Sequence, residues 1–517
     1  MSHRGPGVAV SCWLGLVTAL FAGCGHRVLT PELHAPDVVP RSGAQRPVLK
    51  VHMKSGELYT LTAWSAAADG SRVEGTGTRY SLARVAGETG HVSIATADVA
   101  LFETNRSQRV GGGATAVLSI MTTVTGVIAA LCLADPKSCF GSCPTFYLDG
   151  ADPTGRPAAE GFSASIARAL EARDVDAIGM AAPAGGRFAL TMRNEALETH
   201  AVRRVRLLLA ERPASGRILA GPDGLFYPAS ELSPAQSCRA SEGDCLAAVR
   251  SADGAERASP ADTQDLAARE SIELAFAPAV GRAGLVLGGR QTLLSTHLFY
   301  QTLAYFGSHA GEYLASVERG GPAVASRALG MARVLGGIDA EVSENGGPWR
   351  SIGSFDETGP IAGDVRVLPF EASGGALRVR LRQAKGHWRL DQVALAQLGE
   401  PVVPRPLEPS RVENGSRADR RALERLRGGE GHLITEPGDT YRIAFELPAS
   451  RHGLELFLES EGYYYEWMRE AWLAEENAEM ASLVLSDPAE ALRRMAGPFK
   501  QQEAGMERAF WASRFRR

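Results

Sequence analysis

The sequence predicts a multidomain, mainly β chain: a small β-barrel or roll and β-sandwich-like domains, with a few helices, one of them apolar at about 114–134. Three observations predict it. At 517 residues the chain is too long for one core, so about three or four domains are expected. Its 57 glycines and 28 prolines punctuate it with turns. Between the turns, apolar and polar residues repeatedly alternate, the period of a half-buried strand.

Residues 1–23 read as a signal peptide. Arg4 supplies a positive start, and Val8 to Ala22 is an apolar run too short to span a bilayer comfortably. The run ends in Phe21-Ala22-Gly23-Cys24, which resembles a bacterial lipobox with phenylalanine where leucine is commoner. The resemblance implies cleavage before Cys24 and its diacylation, which would anchor the chain to a membrane. A plain secretion signal and an uncleaved anchor are the alternatives. Residues 24–45 are charged, proline-containing and aperiodic, and are expected to be a linker.

Residues 46–105 predict the small β-domain. VLKVHMK and ELYTLTAW alternate across a Ser-Gly turn, and SRVEGTGTRYSL and GHVSIATADVALFE add further strands. Trp64, Tyr59, Tyr80 and Phe102 are expected in its core. GGG at 111–113 opens the apolar segment 110–135, whose Val117, Ile120, Met121, Val124, Ile128 and Leu131 share one helical stripe. Its length permits a membrane span. A span would place residues 135–517, with two cysteine pairs, in the reducing compartment, and its flanking charges oppose that orientation. A helical connector between domains is the preferred reading.

Residues 139–320 predict a β-rich central domain. CPTFYLDG gives a strand, FSASIARALEARDV a short helix, and GRFALTMRNEALETHAVRRVRLLLAERP a pair of strands. GRILAGPDGLFYPASE adds a strand and a Gly-Pro-Asp-Gly turn. ESIELAFAPAVGRAGLVLGGR gives two more strands, and 291–318 a helical segment. Residues 333–400 alternate again and end in WRLDQVALAQL, with a step at Gln392 that breaks period two. This piece is similar to the closing strands of galactose-binding-like β-sandwiches, which implies a sandwich; members bind glycans or only pack on neighbours. Residues 401–420 read as a linker, and 421–517 as an α+β region. There Tyr464, Trp467, Met468 and Trp472 fall at helical spacing, and SDPAEALRRMAG starts a helix with Ser486 as its cap.

Cysteine usage fits export. Cys139 with Cys143, and Cys238 with Cys245, are close enough in sequence for two local disulfides, leaving Cys132 as a buried thiol. A metal or redox reading of Cys139 and Cys143 lacks the two-residue spacing and a nearby histidine. Asp149 and Asp152 suit a turn better than a calcium loop. Glu198 and His200 share a strand face, enough for one hydrogen bond but not for a metal site, and His297 and His309 are expected in the core.

With 55 basic against 59 acidic residues, no basic surplus points to nucleic acid. No P-loop, Rossmann fingerprint, HExxH helix or kinase signature occurs. No catalytic, cofactor-binding or metal residue is assigned, and no cofactor is expected.

CFGSCPTFYLDG, RNEALETHAVRRVRLLLAERP and GPDGLFYPA are similar to segments of large, uncharacterised bacterial envelope lipoproteins, a likeness covering most of the mature chain. It implies envelope location but no activity, and transfers no functional residue. The expected function is non-catalytic: a lipid-anchored cell-envelope protein, its body in the periplasm or outside, that binds or scaffolds a protein or glycan partner. The alternatives are an exported hydrolase acting on cell-wall or polysaccharide material, and a membrane-embedded subunit of an envelope complex.

Overall fold

The computed structural model describes residues 26–110, 143–309, 329–466 and 475–512, together with Tyr313, apart from short breaks at 35–38, 44–47, 54–57, 81–85, 150–156, 167, 182–185, 197, 231, 357–358, 430 and 436–437. Strands account for 51% and helices for 19%, so the mainly β class holds. The apolar segment 114–134 lies outside the described residues, and among those described no helix is long and apolar enough to cross a membrane. The chain divides into two compact units, residues 1–79 with 88–119 and residues 80–87 with 120–517.

The first unit holds one antiparallel sheet of six strands, in the order 26–34, 99–110, 49–53, 58–66, 72–80, 86–95. Its described strands form an open sheet and not the closed barrel that the turns suggested. The expected linker is corrected too: His26–His34 is a nine-residue strand, paired along its whole length with Phe102–Val110. Its proline, Pro31, and its charges masked a strand because an edge strand tolerates both. Alternation carries Leu49, Val51, Leu61, Trp64, Val73 and Phe102 to one buried cluster, with Tyr59 packed beside it. Gly77 lets strands 58–66 and 72–80 approach: a Cβ there would stand 2.1 Å from the Thr60 carbonyl oxygen.

The second unit is a sandwich inserted into a sandwich. One sheet of the outer sandwich runs 417–418, 411–414, 440–447, 186–193, 145–148, 159–160. The other runs 405–407, 198–211, 454–466, 172–181, with 433–435 also on 198–211. Phe146, Leu190, Met192, Val205, Ile443 and Leu456 join the two sheets in one core. Between strands 198–211 and 405–407 the chain leaves to build the inserted sandwich. One of its sheets runs 226–229, 217–220, 364–373, 280–291, 388–397, 233–234, with 257–258 on 388–397. The other runs 243–244, 237–240, 269–276, 377–384, 338–344, 350–355. Ile272, Leu285, Leu287, Val379, Trp388 and Leu390 fill the space between them.

This nesting overrides the expected boundaries. Strands 269–276 and 280–291 pair with strands 377–384, 364–373 and 388–397, so the sandwich expected at 333–400 draws eight of its thirteen described strands from the expected central domain. The reading of GRFALTMR…RVRLLLAE as two strands holds, but they lie in opposite sheets. Residues 401–420 contribute strands to both outer sheets where a linker was expected.

Among the described residues six helices complete the unit: α1 (Leu246–Val249), α2 (Leu294–Phe306), α3 (Gly330–Leu335), α4 (Arg420–Leu426), α5 (Ala478–Ser486) and α6 (Pro488–Ala512). The helix expected in FSASIARALEARDV is a 3-10 turn, Arg168–Leu170, followed by strand Ala172–Ala181. Asp487, not Ser486, caps α6: its carboxylate accepts the Glu490 N–H at 3.0 Å, with Pro488 in the first turn. Tyr464 sits on strand 454–466, off any helix, and Trp467, Met468 and Trp472 lie outside the described residues.

Candidate functional site

Where the two sandwiches meet α2 and α3, they enclose a cavity of about 350 Å³. Four pieces of chain build it. The outer sandwich contributes Glu160, Ile166, Glu198 and Tyr464, and the inserted sandwich Gln291, Asp356 and His387. Helix α2 presents Ser295, Thr296, Leu298, Phe299 and Tyr300, and α3 presents Met331, Ala332 and Leu335. Amphipathic spacing explains α2: Leu294, Leu298 and Leu303 are buried while Ser295 and Phe299 are half-buried.

The carboxylates at this wall already hold partners. Glu160, 1% exposed, accepts the Ile361 N–H at 2.7 Å. Its carboxylate packs on Gly359, whose φ of +80° and lack of a Cβ leave room for it. Glu198 lies 2.8 Å from His200 Nε2, and His200 Nδ1 lies 3.2 Å from Thr435 Oγ1, all three side chains buried. With its proton on Nε2, His200 donates to Glu198 and accepts from Thr435, which satisfies both ring nitrogens. The single hydrogen bond expected between Glu198 and His200 is therefore present. Tyr300 donates to Glu466, and Tyr464 to the Ser163 carbonyl at 2.8 Å. Burial pushes the Tyr464 phenol well above its ordinary range.

His387 borders the same cavity without such support. Both its ring nitrogens are buried without a hydrogen-bond partner among the described residues, and burial holds its pKa down to about 4. It is therefore a neutral imidazole at neutral pH, edge-on to Trp388.

A second group lies at the seam between the sandwiches. Asp174 and Asp176 come from outer strand 172–181, and Asp364 and Arg366 from inserted strand 364–373. Asp364 accepts the Ala177 N–H at 3.0 Å, and Arg366 donates both to Asp364 and, at 2.5 Å, to the Val175 carbonyl. Asp176 has one buried oxygen with no hydrogen-bond partner among the described residues. Burial, then Asp174 and Asp364, push its carboxyl well above the usual carboxylate range. Among the described residues no group of three His, Cys, Asp or Glu side chains is placed to hold a metal ion.

The sequence-predicted positions fare unevenly. Cys238 and Cys245 form a disulfide, buried in the inserted sandwich. Cys143 is buried and borders the cavity; Cys139, Cys24 and Cys132 lie outside the described residues. Asp149 accepts from Thr191 and Arg442 on neighbouring strands, and Asp152 is outside the described residues. His297 is a core residue against Phe499, but His309 is exposed, because α2 ends at Phe306. Glu160, Tyr300, Asp176, Asp364 and His387 went unnoticed. They come from separate elements, so no local spacing signals their meeting.

Comparison with known protein families finds none that matches the chain, and no curated protein matches it. Among solved structures, the mycobacterial arabinofuranosyltransferase AftD aligns with 84% of this chain and 32% of its own, at 13% identity and a TM-score of 0.15. The VP2 protein of infectious bursal disease virus aligns with 94% of this chain and 91% of its own, at 9% identity and a TM-score of 0.12. Scores at this level define no shared fold.

Proposed function

We propose that this chain is a non-catalytic, lipid-anchored protein of the bacterial cell envelope that binds a ligand or partner through its nested sandwiches. The observation that carries the reading is the cavity at their junction, of the size ligand sites have, whose bordering carboxylates Glu160 and Glu198 are both engaged in structural hydrogen bonds. Each of these carboxylates accepts a hydrogen bond from the chain itself, a structural role that supports the binding reading. The disulfide between Cys238 and Cys245 fits an exported body, and the lipobox-like Phe21–Cys24 supports an anchor.

A second reading, an exported hydrolase acting on cell-wall or polysaccharide material, draws on the presence of those same two carboxylates at one cavity. The two are separated by incubating the purified chain with peptidoglycan and polysaccharide fragments and measuring new reducing ends. No new reducing ends are expected. Turnover that disappears in Glu160→Gln or Glu198→Gln overturns the binding reading. Radiolabelled palmitate incorporation, lost in Cys24→Ala, is expected for the anchor.

A further inference from the structure

We propose that the cavity between the sandwiches, α2 and α3 binds a small uncharged amphiphile: an apolar body with a hydroxyl-type head. The inference rests on the binding reading above and names its ligand class. Size comes first. An apolar protein cavity of about 150 Å³ holds one benzene, so a volume of about 350 Å³ suits an apolar body of roughly twelve carbon atoms. The walls agree, since Ile166, Leu298, Phe299, Met331 and Leu335 present hydrocarbon to it. A sugar, polar on every edge, would leave its hydroxyls against these side chains at a desolvation cost.

Charge decides the head group. Glu160 and Glu198 border the cavity and are almost completely buried. In such surroundings Coulombic repulsion is poorly screened, so a carboxylate or phosphate head is disfavoured. Asp356 adds a third carboxylate and Arg333, exposed on α3, a cation; the other polar groups include Gln291 at the end of strand 280–291, Ser295 and Thr296 at the start of α2, and the imidazole of His387, whose nitrogens have no hydrogen-bond partner among the described residues. An amide, two hydroxyls and a neutral imidazole each donate and accept. A ligand hydroxyl, itself both donor and acceptor, complements them, and a charged head does not. The entrance is marked by Ala332 and Arg333 of α3, both exposed.

The test uses the full mature chain carrying Cys24→Ala, which needs no competing detergent, and N-phenyl-1-naphthylamine, a neutral fluorophore that brightens in apolar surroundings. Saturable one-to-one binding is expected, displaced by 1-dodecanol, with dodecanoate at least tenfold weaker and maltotriose without effect. Leu298→Trp fills the cavity and Ala332→Trp narrows its entrance; each is expected to weaken probe binding at least tenfold. Ala332 is exposed, so its variant should keep the parent's melting temperature, which guards against simple misfolding. Absence of saturable binding by the folded chain overturns the proposal, as does unchanged binding in both variants. Dodecanoate displacing as well as dodecanol overturns the uncharged head. Binding of an oligosaccharide but not the probe sinks the amphiphile and leaves the binding reading standing, whereas glycan turnover sinks that reading itself.

Discussion

Arg217 Nη2 donates to Glu455 Oε1 at 2.8 Å, tying the first strand of the inserted sandwich to strand 454–466 of the outer one. Glu455 is fully buried and also accepts the Ile218 N–H at 3.3 Å. Around it Leu208, Ala210, Ile218, Phe226 and Phe457 form a separate apolar cluster across the seam. The two sandwiches are thus fused by a packed and hydrogen-bonded joint. Removing one partner of a buried pair leaves a charge uncompensated, at about 3 kcal/mol or more. Arg217→Ala is expected to destabilise the second unit by about 2–3 kcal/mol, the lower figure because Arg212 still lies near Glu455. Urea denaturation measures it, and a loss below about 0.5 kcal/mol would place the joint's strength in the apolar cluster alone.

Asp176 gives the seam a pH dependence. Its carboxyl is raised by burial and by Asp174 and Asp364, with Arg366 acting the other way and Glu160 adding a smaller upward push. Asp174 is raised too, mainly by burial. A raised acid binds more protons folded than unfolded, so its contribution is fully present below the unfolded value and is lost as pH rises through the folded one. This contribution to the second unit is therefore expected to be lost as pH rises from the ordinary carboxylate range towards pH 8. Asp176→Asn, which mimics the protonated acid, should flatten this slope and be the more stable form at pH 8. Parallel urea midpoints for parent and variant across that range would remove Asp176 from the account.

The sequence showed most of the longer strands that bury one face, because alternation is a local signal, and missed 26–34 and 411–414, which proline and charge made look like linkers. It even marked a bulge: the step at Gln392 is where Gly288 faces Gln392 but Gly289 faces Leu390, leaving Asp391 unpaired. The freed Asp391 carboxylate then accepts the Gly254 N–H at 2.9 Å. Partnership was not legible. Phe188 and Leu207 sit close in sequence but in opposite sheets, whereas strand 186–193 pairs with 440–447, some 250 residues on. Nothing in a strand's own pattern states its neighbour, so a sandwich split by an insertion reads as consecutive domains. The cavity was hidden for the same reason: Glu160, Gln291 and His387 meet only after both sandwiches close.

His297 and His387 set an opposite, acidic limb. Burial lowers both to about 4 from an ordinary 6.5. A base depressed in the folded state contributes stability that is complete above the unfolded value and is lost as pH falls from 6.5 towards 4. At about 1.4 kcal/mol per unit, each could remove about 3 kcal/mol at the acid end. His297→Phe places a ring beside Phe499 that cannot take a proton, and should shift the acid unfolding midpoint downwards. An unchanged acid midpoint would show that His297 is reached by water before the unit unfolds.

The disulfide between Cys238 and Cys245 closes a loop of sequence separation seven. It joins strand 237–240 to the residue that precedes α1, and both sulfurs sit in the inserted sandwich's core. Chain entropy for a loop this short gives about 2.5 kcal/mol. The double substitution Cys238→Ala with Cys245→Ala is expected to lose about that much, less whatever the two methyl groups retain by packing on Leu274 and Val249. Thiol titration of the denatured chain, before and after reduction, counts the bond directly. If reductant leaves the urea midpoint of the parent unchanged while freeing both thiols, the bond does not stabilise the sandwich, and its strands hold the loop unaided.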